Sequence, residues 1–470
     1  MIKSKLVVIG GGPGGYAAAF LAADLGMEVT LIDKEKNPGG VCLYRGCIPS
    51  KALLHVAKLI SEADEAKNWG IEFSKPKIDL DKLRTWKNNV VGKMTGGLGI
   101  LSKQRKINYI QGTASFINSS ALRIEKTEGG SEEVNFENAI IATGSVIATI
   151  PFLNIESPRV LNSTTALDLP EIPKSLLVIG GGYIGLELGS VYNALGTNVS
   201  IVEMMPGLLP GADRDLVAFL TKRVQKKFDK VMLNSKVLSL KEVKGGINVS
   251  VQDGEGKVTE QDYEYVLMSI GRRPETKGLG LENTKVKTDE KGWIEVNGRR
   301  QTDDPNIYAI GDIAGEPMLA HKASHEGRTA VEAIAGHNVV FEPRAIPAVV
   351  FTDPEIAWAG ITETKARELN IKFEISKFPW AASGRSTTLD RNDGVTKLIL
   401  DPDSQRILGV GICGPGAGEL IAEGVLAIEM GANATDLRLT IHPHPTLSET
   451  VMEAAEVFFG QSTHVYRPKR

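Results

Sequence analysis

The stretch Gly-Gly-Val-Cys-Leu-Tyr-Arg-Gly-Cys-Ile-Pro-Ser-Lys, residues 39–51, holds Cys42 and Cys47, two of only three cysteines in 470 residues. Such a pair can staple the chain, bind a metal or carry electrons. On a regular helix five residues rise about 7.5 Å, beyond the roughly 4.4–6.8 Å between Cα atoms that a disulfide spans. A bond between them therefore requires Cys42 to leave the helical path that "IPSKALLHVAKLI" continues, and a strained bond of that kind is easily reduced. As a staple it adds little, because so short a loop constrains the unfolded chain by only about 2 kcal/mol. A metal centre needs further ligands, and no third or fourth Cys or His has suitable spacing nearby, so no metal is expected. A redox-active pair is the favoured reading, with two unrelated buried thiols as the plain alternative. Cys413, on the apolar run "ILGVGICG", reads as a buried structural thiol.

Other residues can serve that chemistry. Lys51 lies four residues after Cys47, one turn further along the same helical face, unless it is simply solvated. Glu187 falls on a helix expected to pack against a sheet. An acid there calls for a buried partner, and Lys51 is the candidate. In "TIHPHPTLSETV", Glu449 stands five residues after His444. A histidine held by a carboxylate is a general base near neutral pH. A thiol substrate needs one, because only the thiolate attacks a disulfide. His442 reads as a turn or surface residue, and no pattern distinguishes His55, His321, His325, His337 or His464.

These residues need elements to position them, and an internal repeat supplies two. "LVVIGGGPGGYAAAFLAADLGMEVTLID" (6–33) aligns without a gap on "LLVIGGGYIGLELGSVYNALGTNVSIVE" (176–203). Each copy is a β-branched run, a glycine cluster, a helix of small and apolar residues and a second strand ending in an acid. That is the strand–turn–helix–strand unit that binds dinucleotides. Gly10, Gly12 and Gly15 match Gly180, Gly182 and Gly185, and Asp33 matches Glu203. The first glycine permits the tight turn, the second lets backbone approach a pyrophosphate, and the third lets helix pack on strand. The helix N-terminus then faces the phosphates. The plain alternative is two ordinary glycine-rich turns.

"AIIATGS" (139–145), "VLMSIGRRP" (266–274) and "NIYAIGDIAG" (306–315) read as strands ending in glycine. Asp312, just past the last of them, can accept from a ligand hydroxyl, cap the following helix, or both. From about residue 348 the pattern changes. "PAVVFTDPEIAWAGI", "FEISKFPW", "GVTKLILD" and "ILGVGICG" alternate as antiparallel strands do, and "AGELIAEGVLAIEMG" and "SETVMEAAEVFFG" have helical spacing. A closing α+β domain is expected.

Bulk composition agrees with a multidomain globular protein: 42% hydrophobic, 24% charged, net charge −3. No basic excess points to nucleic acid, and no segment is long and apolar enough for a membrane span. The apolar run at the N-terminus is too short for a signal-peptide core and reads as a first strand. The expected location is the cytoplasm.

In this order, the two dinucleotide units, "GGVCLYRGCIPSK", "ATGS", "IGRRP", "AIGD" and "HPHPTLSE" resemble the flavoprotein disulfide oxidoreductases over nearly the whole chain. Within them the sequence is most similar to the branch that oxidises dihydrolipoamide in 2-oxoacid dehydrogenase and glycine-cleavage complexes. The resemblance implies an α/β fold with two Rossmann-like domains, for FAD and NAD, and a C-terminal α+β dimerisation domain. The limits it implies are 1–149 and 277–347 for the two parts of the FAD domain, 150–276 for the NAD domain and 348–470 for the last.

For FAD it implies Gly10, Gly12 and Gly15 at the pyrophosphate and Asp33 at the adenosine ribose. Gly40, Val41, Cys42, Lys51, Ala114 and Gly144 would lie alongside, with Asp312 and Ala320 at the ribityl chain and flavin. For NAD it implies Gly180, Gly182, Tyr183, Gly185 and Glu203, with Val237 and Gly271 beside them. Cys42 would be the interchange thiol, Cys47 the flavin-side thiol, and Lys51 with Glu187 would lie by the flavin's reactive nitrogen. His444, oriented by Glu449, would reach across a homodimer as the base. Lipoyl domains would be the macromolecular partners.

Two departures stand out. Tyr44 and Arg45 replace the family's usual asparagine and valine between the cysteines, and Tyr183 is a residue that glutathione reductases often use as a gate. An NADPH-dependent glutathione-type reductase is thus the second reading. Glu203 opposes it, because a carboxylate repels a 2′-phosphate and "MMPGLLP" supplies no arginine to hold one. A non-catalytic flavin-binding subunit is the third, although it has no need of the cysteine pair and the His–Glu dyad.

Overall fold

The computed structural model describes residues 2–466. The N-terminal run forms the strand Ile2–Ile9, as expected, at the centre of a sheet. It pairs in parallel with Val29–Asp33 on one side and Ser131–Ile141 on the other. Asn108–Asn118 and Ala121–Lys126 extend the sheet. Ile307–Ala309 then joins it in parallel beside Ser131–Ile141, 166 residues beyond Ile141 in the chain. Leu6, Val7 and Val8 are fully buried, as β-branched and leucine-rich parallel strands covered on both faces should be.

The second copy of the repeat builds a second parallel sheet. Its strands run in the order Lys230–Met232, Asn198–Val202, Ser175–Ile179, Tyr265–Met268 and Val160–Asn162. A small antiparallel sheet, Lys236–Val243, Gly246–Gln252 and Val258–Tyr263, flanks it. A two-stranded ribbon, Ser145–Ile147 against Arg272–Pro274, joins the two sheets where the chain leaves and re-enters the first.

Each glycine cluster turns a strand into a helix: α1 (Pro13–Asp24) in the first copy and, further on, Tyr183–Leu195 in the second. Both have glycine N-caps with no side-chain cap, so their first-turn N–H groups stay free for a ligand. Pro13 at the start of α1 is preorganised for that place. The third glycine of each motif is fixed by close approach. A Cβ on Gly15 would lie 1.8 Å from the Gly10 carbonyl oxygen, and one on Gly185 2.3 Å from that of Gly180.

Between the copies come α2 (Gly40–Arg45), α3 (Cys47–Glu65) and α4 (Leu80–Gln104), followed along the chain by α5 (Tyr183–Leu195), α6 (Arg214–Lys227) and α7 (Ala320–Ile334). Leu53 and Ala57 of α3 enter the same core as Leu186, Leu188 and Tyr192 of α5. The helix that carries the cysteines is thereby packed on the second nucleotide unit as well as the first. Among the described residues no helix is long and apolar enough to cross a membrane.

The last region is a five-stranded antiparallel sheet, in the order Ala348–Val350, Ile356–Gly360, Ile407–Cys413, Val395–Leu400 and Glu374–Pro379, covered by Ala417–Glu429 and Glu449–Phe458. One detail differs from the expected alternation. Val395–Leu400 is buried at every residue, because one face meets the covering helices and the other meets α6. Lys397 is tolerated there because Asp213, Asp215 and Glu363 surround its amine.

Candidate active site

A cavity of about 560 Å³ runs between the first glycine turn and the cysteines, within the roughly 300–1,000 Å³ typical of ligand pockets. Gly10, Gly12, Asp33, Gly40, Val41, Ala114 and Gly144 line one part of it. Cys42, Cys47, Lys51, Tyr183, Glu187, Asp312 and Ala320 line the rest.

The backbone breaks at Gly46 (φ −144°, ψ −115°), between α2 and α3. Cys42 therefore sits in its own short helix and Cys47 at the first position of the next, off a common helical path as the spacing requires. The two thiols share a hydrogen bond that favours Cys47 as the thiolate. That bond, Lys51 and the start of α3 bring Cys47 down to about 7, against its burial. Cys42 moves the other way, because it donates to Cys47 and is buried. Cys47 is thus the more readily ionised member of the pair and Cys42 the one that keeps its proton. Cys413 is fully buried in its strand, as expected.

Lys51 Nζ donates to Glu187 Oε2 at 2.8 Å, and the Phe351 backbone N–H donates to Glu187 Oε1 at 3.0 Å. Glu187 is only 3% exposed, so the pairing explains how α5 carries an acid on its packed face. The ammonium also lies 4.6 Å from the Phe351 ring centroid, a contact with no signal in the sequence.

The two acids at the ends of the repeats do the same thing. Asp33 Oδ2 accepts from Gly11 N–H at 2.5 Å and Oδ1 from Glu35 N–H at 2.8 Å. Glu203 Oε2 accepts from Gly181 N–H at 2.6 Å and Oε1 from Met205 N–H at 2.7 Å. Burial lifts the Asp33 carboxyl above its ordinary range, against the pull of Gly11, Lys34 and Arg45. Gly180, Gly182 and Gly185 form the second turn, Gly271 follows the strand beside it, and Val237 is buried in the flanking sheet. Arg214, the one arginine of the segment 204–214, gives its donors to the carbonyls of Leu208, Leu209 and Ala212. No guanidinium of that segment is left for a 2′-phosphate.

Asp312 departs from part of its expectation. It lies in the turn Gly311–Ala314 and accepts from Ser145 Oγ at 2.5 Å. Helix α7 begins only at Ala320, with Leu319 at its N-cap. Asp312 therefore caps no part of it. Ser145 is held in turn by Arg272, and Gly311 N–H donates to the buried Glu326 at 2.6 Å. Sequence reasoning missed both contacts, the first spanning 127 residues and the second 15.

His444 Nδ1 lies 2.9 Å from Glu449 Oε1, and the Thr446 N–H donates to Glu449 Oε2 at 2.7 Å. A carboxylate only accepts, so Nδ1 carries the proton and Nε2 is free to take one. Burial raises the Glu449 carboxyl, but Thr446 and His444 outweigh it and hold the group below its usual range. The His444 side chain is 73% exposed and takes no part in lining the cavity of its own chain. His442 is not the surface residue expected. It is half-buried and its Nε2 meets Glu423 at 2.7 Å, which raises its pKa.

The residues fit the two dinucleotides. Gly10, Gly15, Gly180 and Gly185 leave no room for a side chain, a Cβ on Gly12 or Gly182 would meet nothing closer than 3.9 Å, so a pyrophosphate has space there, and uncapped helix N-termini point into both turns. Paired nucleotide folds with a dithiol at the junction define a flavin- and nicotinamide-dependent disulfide oxidoreductase. The chain belongs to the pyridine nucleotide-disulphide oxidoreductase family: the family model matches residues 4–327 and its dimerisation domain residues 346–455. It is 49% identical to the dihydrolipoyl dehydrogenase of Haemophilus influenzae over 468 residues, covering 100% of this chain and 98% of the relative. The dihydrolipoyl dehydrogenase of Geobacillus stearothermophilus is 45% identical over 464 residues, 99% of this chain and 98% of the relative. Among solved structures, LpdA from Mycobacterium tuberculosis superposes with a TM-score of 0.89 at 26% identity, over 97% of this chain and 100% of that one. The copper(II) complex of the HOCl-induced flavoprotein disulfide reductase RclA from Escherichia coli gives 0.87 at 28%, with the same coverage.

Proposed function

We propose that the chain oxidises dihydrolipoamide to lipoamide and reduces NAD⁺ to NADH and a proton, with FAD as resident cofactor. The observation that carries this is the divided dithiol in a cavity shared by the first nucleotide unit and α5 of the second. When bound, the flavin supplies a two-electron acceptor between thiols and nicotinamide.

The chain's own groups do the rest. A substrate thiolate attacks Cys42 of the oxidised pair, and Cys47 leaves as the thiolate it already favours. The second substrate thiolate then attacks the substrate sulfur of the mixed disulfide, closing lipoamide and freeing Cys42. With FAD held at the first glycine turn and NAD⁺ at the second, the two electrons left on Cys42 and Cys47 would be taken up by the cofactors. His444 Nε2 takes the thiol proton while Glu449 holds the ring. Lys51, fixed by Glu187, holds positive charge beside the Cys47 thiolate. Asp33 and Glu203 would accept from the two riboses, and Asp312 and Ala320 would meet the ribityl chain and flavin. Ala114, Gly144, Val237, Gly271 and Tyr183 complete the two surfaces.

An exposed His444 supports an active site finished by the second chain of a homodimer, built by the family's dimerisation domain. The working domain limits are 1–149, 150–276, 277–347 and 348–470, supported by the crossover ribbon at 145–147 and 272–274. Lipoyl domains of 2-oxoacid dehydrogenase or glycine-cleavage complexes are the proposed partners, and the cytoplasm the proposed location.

Steady-state assays with NADH and NADPH, each against lipoamide and glutathione, test the reading. A clear preference for NADH with lipoamide is expected. A preference for NADPH with glutathione would overturn it.

A further inference from the structure

Tyr44 and Arg45 lie between the cysteines, where their bulk and charge would be expected to bear on the dithiol. Their side chains turn away from it. Tyr44 Oη donates to the Asn37 carbonyl at 3.1 Å and lies 3.2 Å from the Asn37 N–H. The Arg45 guanidinium pairs with Glu35, both side chains being mostly shielded from solvent. Both contacts land on the loop 34–38, directly after Asp33.

That loop is held from its other side too. Tyr109 Oη donates to the Glu35 carbonyl at 2.8 Å and Gln111 Nε2 to the Lys34 carbonyl at 3.0 Å. The following residues close on the glycine turn itself. Gly39 N–H donates to the Gly11 carbonyl at 2.7 Å, and Gly40 sits so close that a Cβ on it would come within 2.5 Å of Gly12 Cα. Residues 33–45 therefore form one closed ring: acid, loop, glycine turn, dithiol helix, and back to the loop through two side chains.

We propose that Tyr44 and Arg45 are positioning residues for the flavin nucleotide, clamping the loop 34–38 to the dithiol helix so that the adenosine end of the cofactor site cannot open. The proposal rests on the reading of the cavity as the FAD site. Arg45 lines that cavity, and its guanidinium is held on Glu35 of the loop. Release of the nucleotide requires the ring to open, and each clamp contact raises the barrier to opening. The cysteines, by contrast, receive nothing from these two side chains.

The test is flavin release from the holoenzyme, followed by recovery of free-flavin fluorescence, in Arg45→Val, Tyr44→Phe and the exchange Glu35→Arg/Arg45→Glu. Release at least tenfold faster is expected for Arg45→Val, about threefold faster for Tyr44→Phe, and near the native rate for the exchange. The long-wavelength charge-transfer absorbance of the two-electron-reduced enzyme, measured per bound flavin, is expected to keep its position and its pH midpoint in all three. A merely structural role would slow folding or lower melting without rescue by the exchange. Unchanged release with a displaced charge-transfer midpoint would overturn the proposal and place both residues on the dithiol. If Arg45→Val does not fold, Tyr44→Phe and the exchange still decide it. A native protein that binds no flavin would instead break the cofactor reading itself.

Discussion

The two nucleotide units are nearly the same object locally and different objects in context. Each turns a buried strand into an uncapped helix through three glycines, and each sets a carboxylate on the N–H of the middle residue of the turn, Gly11 or Gly181. The loops after the carboxylates diverge. After Asp33 the chain is strapped to the dithiol helix and to the strand Asn108–Asn118. After Glu203 it is braced by Arg214, by Leu209 N–H to Gly181 and by Asn234 N–H to the Met205 carbonyl, and among the described residues no hydrogen bond straps it to the dithiol helix. Met204 and Met205 there stand 68% and 49% exposed. The same motif thus makes a closed site for a cofactor that stays and an open one for a nucleotide that must come and go. Binding energy locked into a ring slows release, whereas a loop not tied to the dithiol helix leaves the ligand freer to leave.

Breaking one unit at a time exposes the contrast. Gly15→Ala drives a methyl into the Gly10 carbonyl and is expected to give a colourless protein with background activity, checked by the flavin spectrum after purification. Gly185→Ala puts its Cβ 2.5 Å from Ser269 Oγ as well as against Gly180. Overpacking of about 1–3 kcal/mol corresponds to a rise in the KM for NAD⁺ of about 5- to 150-fold. The protein should stay yellow and still be reduced by dihydrolipoamide in a single turnover, and loss of flavin would erase the distinction between the units. Glu203→Gln keeps the shape and removes the charge, so the kcat/KM ratio of NADH to NADPH should shrink by about 10- to 150-fold, in line with the roughly 1.5–3 kcal/mol of a charged hydrogen bond.

The smallest effect is in pH. Cys47 is an acid whose pKa is lowered to about 7 by the Cys42 hydrogen bond and Lys51, against burial and the charge of Glu187. Lowering means that the thiolate dominates above that value, so the charge-transfer absorbance should be full at pH 9, halved near 7 and gone by 5. A midpoint that stayed near the ordinary thiol value of 9 would remove the division of labour between the two sulfurs.

Much of this site was legible in the residues. A bond between Cys42 and Cys47 would need a break in the helix, and Gly46 supplies that break between the two free thiols. Glu187 on a packed face demanded a cation, and Lys51 is there. His444 and Glu449, five residues apart, meet across one short turn. Asp312 was misread in one of its two roles, because the position of Pro317 and the start of α7 depend on packing against α1 rather than on local capping signals. His442 was misread because its partner, Glu423, lies on a neighbouring helix.

The sequence by itself determined whatever depends on backbone sterics and periodicity: the glycine turns, the strands that feed them, the helix starts and the order of the units. Those follow from local rules that each residue obeys wherever it lies, the start of α7 being the exception among the helix starts. The tertiary structure alone decided which distant groups meet: Lys51 with Glu187 across 136 residues, Ser145 with Asp312 across 167, and the ring that turns Tyr44 and Arg45 from the thiols towards the loop after Asp33. Such contacts carry no period along the chain, since their geometry is set by how whole elements pack and by which buried charge each must neutralise.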